Sequence, residues 1–80
     1  MYEYAMALQP IVIAGGIDGL DAQRKEVFKG LLEFMATMIR QAKEVESVII
    51  NEDFTLIVTA KEDIEATLKK IGSNAIISRL

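Results

Sequence analysis

A long amphipathic helix is the feature that most constrains the fold of this chain. Apolar residues recur with a helical period over residues 21–46 and, at 100° per residue, occupy a single arc of roughly 160°. The apolar positions are Val27, Phe28, Leu31, Leu32, Phe34, Met35, Met38, Ile39, Ala42 and Val45. From Lys25 to Glu44, charged and polar residues fill the opposite arc, in which Ala36 is the only apolar residue. The pattern predicts an unusually long helix with one buried face.

This predicted helix is longer than the strands expected around it. About 25 helical residues extend roughly 37 Å, whereas strands of five or six residues extend roughly 17–20 Å. One short sheet cannot cover the whole apolar face, so part of it is expected to contact another surface. Because the helix leads almost directly into the next strand, the uncovered part should be its N-terminal half, around Val27, Phe28, Leu31 and Leu32.

The residues before the helix favour extended structure. Residues 1–9 alternate with a period of two, which is typical of a strand, although their Ala- and Met-rich composition leaves an N-terminal arm as an alternative. Pro10 cannot donate a hydrogen bond to a ladder and is expected to open the next strand. We therefore predict a short buried strand over residues 11–14, ended by the glycines that follow it.

The second half of the chain alternates strands with a shorter helix. The predicted elements are strands over 47–50 and 54–59, joined as a hairpin, a helix over 60–71 and a last strand over 75–79. Thr59 and Glu62 have the spacing of a capping box at the start of that helix. Gly72 is placed to end it.

These elements predict one α+β domain over residues 1–80. Their order, β-α-β-β-α-β, is the pattern of a ferredoxin-like sandwich. In that fold, two helices lie on one face of a four-stranded antiparallel sheet. A chain of 80 residues has room for one small core.

The second face of the predicted sheet lacks charged residues. The face toward the helices would hold Ile11, Ile13, Val48, Ile50, Phe54, Leu56 and Val58. The opposite face would hold Val12, Ala14, Ile49, Thr55, Ile57 and Thr59. A sheet face in contact with water usually alternates to polar residues. The second face is therefore expected to be covered, which indicates association with another chain.

Composition argues against several classes of function. Nine Lys and Arg residues are scattered among twelve acidic ones, giving a net charge of −3, so the clustered positive charge of a nucleic-acid surface is missing. The chain has no cysteine and no histidine, which excludes thiol and imidazole catalysis and the usual zinc sites. No apolar run approaches the length of a membrane span. We expect a cytoplasmic protein without catalytic residues, bound metal or cofactor.

The glycine-rich loop is the one segment that suggests a ligand. A strand, then glycines, then a helix N-terminus can bind phosphate through free backbone N–H groups. The residues are Gly15, Gly16, Asp18 and Gly19, and no Gly-Lys-Ser/Thr motif follows them. The aspartate would also repel an anion. The favoured interpretation is that the glycines form a tight turn and that Asp18 or Asp21 caps the long helix.

Two functions remain after these exclusions. The first is a non-enzymatic assembly or adaptor subunit that forms homo-oligomers or docks into a larger protein complex. The residues expected to carry the contact are Tyr2, Tyr4, Val27, Phe28, Leu31, Leu32, Ile49 and Ile57. The second follows from topology alone, which is similar to that of regulatory domains of the ACT type. That resemblance implies a metabolite bound at a dimer seam, near the glycine loop.

Overall fold

A computed structural model describes residues 1–80 and shows an α+β fold. Its strands are β1 (Tyr2–Leu8), β2 (Val45–Ile50), β3 (Thr55–Ala60) and β4 (Ala75–Arg79). Its α-helices are α1 (Gln9–Ile13), α2 (Ala22–Arg40) and α3 (Glu65–Ile71), and a 3-10 turn covers Ile17–Gly19. None of the helices is both long and apolar enough to cross a membrane.

The four strands form one antiparallel sheet in the order β2-β3-β1-β4. Tyr4 on β1 lies opposite Val58 on β3 and Arg79 on β4, so the first and last strands of the chain are neighbours. This arrangement is compatible with the predicted ferredoxin-like sandwich.

The core lies between one face of the sheet and the helices. Buried residues alternate along β1 and β3, as a two-residue period requires for a sheet with one covered face. They pack against buried residues from all three helices. The fifteen residues of this core are Tyr4, Met6, Leu8, Ile11, Leu20, Leu32, Met35, Ala36, Ile39, Val48, Leu56, Val58, Ala60, Ile64 and Leu68.

The predicted strand over 11–14 is wrong. Residues 2–8 form the first strand instead, and Pro10 lies in the first turn of helix α1. Proline suits that position because its fixed φ is helical and its missing N–H has no helical partner there. Ile11 is buried beneath this turn, whereas Ile13 is exposed, so neither belongs to the sheet face predicted for them.

The long helix ends at Arg40, six residues before the predicted end at 46. The amides of Gln41 and Ala42 donate to carbonyls three residues back, at 3.2 and 3.1 Å, which tightens the last turn. Val45 then joins the ladder opposite Ala60, with a bulge before Ser47. In the sequence, the β-branched Val45 continues the helical spacing of apolar residues, which is why the helix was predicted to extend past it. In the structure it is the first residue of β2.

The predicted helix over 60–71 begins five residues late. Ala60 is fully buried at the end of β3, where it lies opposite both Tyr2 and Val45. These two strand partners hold Ala60 extended, so the predicted capping box of Thr59 and Glu62 does not form and α3 starts at Glu65.

Candidate protein interfaces

Helix α2 presents two separate apolar surfaces rather than one. Its core side consists of Phe28, Leu32, Met35, Ala36 and Ile39, of which all but the half-buried Phe28 are fully buried. Its second surface, which we name the α2 stripe, is exposed and consists of Val27, Leu31, Phe34 and Met38. The exposed fractions of these four residues are 63%, 42%, 62% and 38%.

The burial of Ala36 shows that the helix is rotated from its predicted orientation. The apolar arc placed Ala36 on the solvated side, yet it is completely buried. A methyl group lets the helix axis approach the sheet closely, whereas the larger residues of the predicted arc would hold it away. Turning Ala36 inward moves the α2 stripe outward.

A groove adjoins the α2 stripe on the side of α3. It has a volume of about 210 Å³, and its walls include Leu31, Phe34 and Met38 of the stripe together with Leu8, Ile71 and the loop at 72–74. The groove exists because α3 is short: its seven residues extend about 10 Å, against about 28 Å for the nineteen residues of α2. Most of the flank of α2 therefore has no helix beside it.

At the base of the groove, Gly72 lets the backbone lie close to the core. A Cβ atom added there would lie 2.9 Å from the terminal methyl of Met6 and 3.0 Å from that of Met35. Glycine therefore allows the chain to turn from α3 into β4 directly against the core.

The structure distributes the predicted contact residues over different environments. Val27, Leu31, Ile49 and Tyr2 are exposed, and Phe28 and Ile57 are half-buried. Tyr4 and Leu32 are core residues with almost no accessible surface, which removes them from the predicted contact set.

The exposed part of α2 is not limited to its N-terminal half. The comparison of helix and strand lengths predicted that Phe34 and Met38 would be covered by the sheet. They are as accessible as Val27 and Leu31. The sequence did contain a sign of this second surface. The spacing of four, three and four residues from Val27 to Met38 defines a narrow row of apolar side chains that is distinct from the core side.

The second surface without a covering layer is the other face of the sheet. Along each strand its residues alternate with those of the core side, and none of them is buried. We name this surface the open sheet face. It consists of Glu3, Ala5, Ala7, Ser47, Ile49, Thr55, Ile57, Thr59, Ile76 and Ser78. Ile57 lies at its centre, between Ile49 and Ala5 on the neighbouring strands. Glu3 is its only charged residue. Four members were predicted for this face, whereas Val12 and Ala14 lie outside the sheet.

The three glycine amides of the loop are already hydrogen-bonded within the turn. The amides of Gly15 and Gly16 donate to the carbonyls of Val12 and Ile11, at 3.0 and 2.9 Å, and the Gly19 amide donates to Gly16 at 3.1 Å. Gly15 and Gly16 have positive φ angles of 88° and 102°, which favour glycine. A Cβ at Gly19 would lie 1.9 Å from the Ala14 carbonyl oxygen. The glycines therefore build the turn that the sequence favoured.

The cap of α2 comes from one of the two predicted aspartates. The Asp21 side chain accepts a hydrogen bond from the Arg24 amide at 2.8 Å. Asp18 lies inside the preceding 3-10 turn. Neither groove of the molecule includes residues 15–19.

Sequence reasoning missed a polar cluster around Asp63. The Tyr4 hydroxyl donates to Asp63 Oδ1 at 2.8 Å, the Glu65 amide donates to the same oxygen at 3.1 Å, and Arg79 pairs with Oδ2. The Tyr4 oxygen in turn accepts from the Ile64 amide at 3.1 Å. No local pattern reveals this cluster, because Tyr4 and Asp63 are 59 positions apart.

These contacts change the acidity of the two charged groups. The Glu65 amide, followed by Arg79 and Tyr4, lowers the pKa of Asp63 to about 2. The hydrogen bond from Arg79 to Asp63 raises the pKa of Arg79. The Arg79 guanidinium also lies 5.5 Å from the centre of the Tyr2 ring and 5.8 Å from that of Tyr4. The cluster joins β1, α3 and β4, so each of its contacts stabilises the fold.

No protein-family model, curated protein or solved structure matches this chain.

Proposed function

We propose that this chain is a non-enzymatic assembly or adaptor subunit, a ferredoxin-like domain that forms homo-oligomers or docks into a larger protein complex. The observation that carries the proposal is the open sheet face, which has no covering layer and only one charged residue, Glu3. Antiparallel sheets with one face in water normally place polar residues there. This face instead has isoleucines at its centre and both flanks.

Burial of that face would supply a useful free energy of association. Removing one isoleucine-sized side chain from water contributes roughly 1.5–3 kcal/mol. Ile49 and Ile76 are about half exposed, and Ile57 is partly exposed between them. A partner seated over the sheet would cover all three together.

The ionisable groups favour binding over catalysis. Asp63 is the carboxylate with a clearly lowered pKa, and its partners are a backbone amide, a tyrosine and an arginine that connect elements of the fold. A group arranged for acid–base catalysis would instead have its pKa moved toward neutrality inside a cleft.

The mass of the native particle tests the proposal. Sedimentation of the purified chain, alone and in extract of its own cells, should give a mass above the 8.9 kDa of one copy. Ile49→Glu should reduce that mass if the open sheet face carries the contact, with the exposed charge reversal Lys70→Glu as control. A wild-type chain that sediments as a single copy in both conditions would refute the proposal.

A second candidate is a small-ligand regulatory domain. A cleft of about 420 Å³ lies between α2 and the turn after β2, within the size range of small-molecule sites. Its walls carry Lys25, Lys29, Glu26 and Glu33 opposite Asn51 and Phe54, a mixture that suits a zwitterion such as an amino acid.

A thermal-shift screen with amino acids and nucleotides tests this second candidate. A ligand that binds only the folded chain raises the melting temperature, and Lys29→Ala should weaken that rise. If no compound shifts the melting temperature, the regulatory function is refuted.

A further inference from the structure

We infer that the α2 stripe is the contact between two copies of this chain, which pair through antiparallel α2 helices. The inference rests on the proposed assembly function and assigns its homo-oligomeric contact to α2 rather than to the sheet. The stripe is the row of Val27, Leu31, Phe34 and Met38, each at least 38% exposed.

The border of the stripe suits a second helix. With 100° per residue, the positions next to the stripe on its solvent side are Gln23, Gly30 and Thr37, and charged residues follow only beyond them. On the other side, Arg24 lies next to Leu31 in the first turn, where its exposed side chain pairs with Asp21. A partner helix could therefore seat on the apolar row without burying an unpaired charge.

No contact within the single chain requires glycine at position 30. It is exposed in the middle of α2, and a Cβ built on it meets no atom within 4 Å. Glycine weakens a helix interior relative to alanine, so folding of one copy would favour a different residue. Beside the stripe, glycine lets the backbone of a second helix approach closely.

The stripe matches itself in size when two copies run in opposite directions. A two-fold axis between residues 32 and 33 places Val27 opposite Met38 and Leu31 opposite Phe34. Each smaller side chain then meets a larger one, and the two helix dipoles oppose each other. A parallel pair would instead place Phe34 on Phe34 and Val27 on Val27, and would align the dipoles. This self-complementarity favours a second copy over an unrelated helix.

The available area implies a modest affinity. A standard interface removes about 800 Å² from each partner, or about one sixth of the 5129 Å² of accessible surface on this chain. The flank of α2 alone, about 28 Å long and 10 Å wide, offers less than that. The groove beside it, with Ile71 and the loop at 72–74, must extend the contact. We therefore expect dissociation in the micromolar range.

Two matched substitutions test which surface pairs. Phe34→Glu on the stripe and Ile49→Glu on the open sheet face introduce the same charge at side chains of similar exposure, 62% and 55%. Analytical ultracentrifugation should show that Phe34→Glu raises the dimer dissociation constant by at least about tenfold, while Ile49→Glu leaves it unchanged. Circular dichroism checks the fold of each variant, and Val27→Glu serves as a second stripe variant.

The outcomes separate this inference from the proposed function. If Ile49→Glu weakens the dimer as much as Phe34→Glu, the α2 assignment is overturned and assembly through the sheet stands. A wild-type chain that stays monomeric at every concentration also overturns the inference. The proposed function then depends only on the mass measured in cell extract.

A distance measurement tests the antiparallel arrangement. The chain has no cysteine, so Gln23→Cys accepts a single spin label on an exposed residue near the start of α2. In an antiparallel dimer the two labels should be about 30 Å apart, since position 23 of one copy lies level with position 42 of the other, 19 positions away along the helix axis at about 1.5 Å each. A separation of about 10 Å, the spacing of neighbouring parallel helices, would contradict it.

Discussion

At the scale of single residues, the Asp63 side chain joins three elements of the fold. Its carboxylate accepts from Tyr4 of β1 and from the Glu65 amide at the start of α3, and it pairs with Arg79 at the end of β4. Helix α3 has no side-chain N-cap at Ile64. The Asp63 carboxylate therefore provides the acceptor that anchors its first turn.

Asp63→Asn should lower the melting temperature in a pH-dependent way. The folded pKa of Asp63 is lowered from 3.8 to about 2, so its charged form stabilises the folded state above the unfolded pKa. That contribution is lost as the pH falls from about 4 toward 2. The difference in melting temperature between wild type and variant should be constant near neutral pH and should shrink across that range. A difference that grows on acidification would contradict the assigned contacts.

Two glycine substitutions should have opposite effects on stability. Gly30→Ala should raise the free energy of unfolding of the dilute monomer by about 1 kcal/mol, because alanine favours the helix and meets no neighbouring atom. Gly19→Ala should lower it, because its Cβ would overlap the Ala14 carbonyl oxygen. Urea unfolding measures both, and equal effects of the two substitutions would rule out this account.

At the scale of elements, the periodic patterns predicted which segments are helical or extended better than where they end. A helix after residue 21, the hairpin and the last strand were all recognisable, because the helix has several turns and β3 alternates clearly. The length of the helix and its place as the first helix of the chain were not confirmed, since α1 precedes it and it ends at Arg40. Pro10 suits both a strand start and a helix start, and only the pairing of β1 with two neighbours decides between them. Ala60 was assigned to a helix because its partners Tyr2 and Val45 are distant in sequence.

Ala36→Leu should destabilise the fold by about 1–3 kcal/mol, because extra methylene groups would be forced between α2 and the sheet. The sequence pattern alone would place this substitution on the solvated side and predict little change. Lys29→Leu, at an exposed position of the same helix, is the control and should change the free energy of unfolding by less than about 0.5 kcal/mol. Thermal and urea unfolding of the two variants compare them directly. Similar effects at both positions would contradict the burial of Ala36.

At the scale of the whole molecule, the two uncovered surfaces lie on different layers. The α2 stripe belongs to the helical layer and the open sheet face to the opposite side of the sheet. Part of this could be predicted, because the lack of charge at Ile49, Thr55 and Ile57 is visible in the sequence. The rotation of α2 could not, since it depends on how closely Ala36 approaches the sheet.

The melting temperature of the wild-type chain should rise with protein concentration. Association that involves only folded chains stabilises them by mass action, so dilution should lower the transition temperature. Phe34→Glu should remove this dependence, and the exposed charge reversal Lys70→Glu should preserve it. Scanning calorimetry over a wide concentration range makes the comparison. A transition independent of concentration in the wild type would argue against self-association.

The α2 stripe ends in a methionine, Met38, which makes that end of the stripe sensitive to oxidation. Of the four methionines, Met6 and Met35 are buried, while Met1 and Met38 are exposed. Mild peroxide should therefore convert Met38 to its sulfoxide well before Met6 or Met35, with mass spectrometry of peptides as the readout. A sulfoxide is polar, so in the proposed dimer oxidation would place a polar group at the end of the apolar row, opposite Val27 of the second copy. Oxidants would then separate the two chains without unfolding either of them.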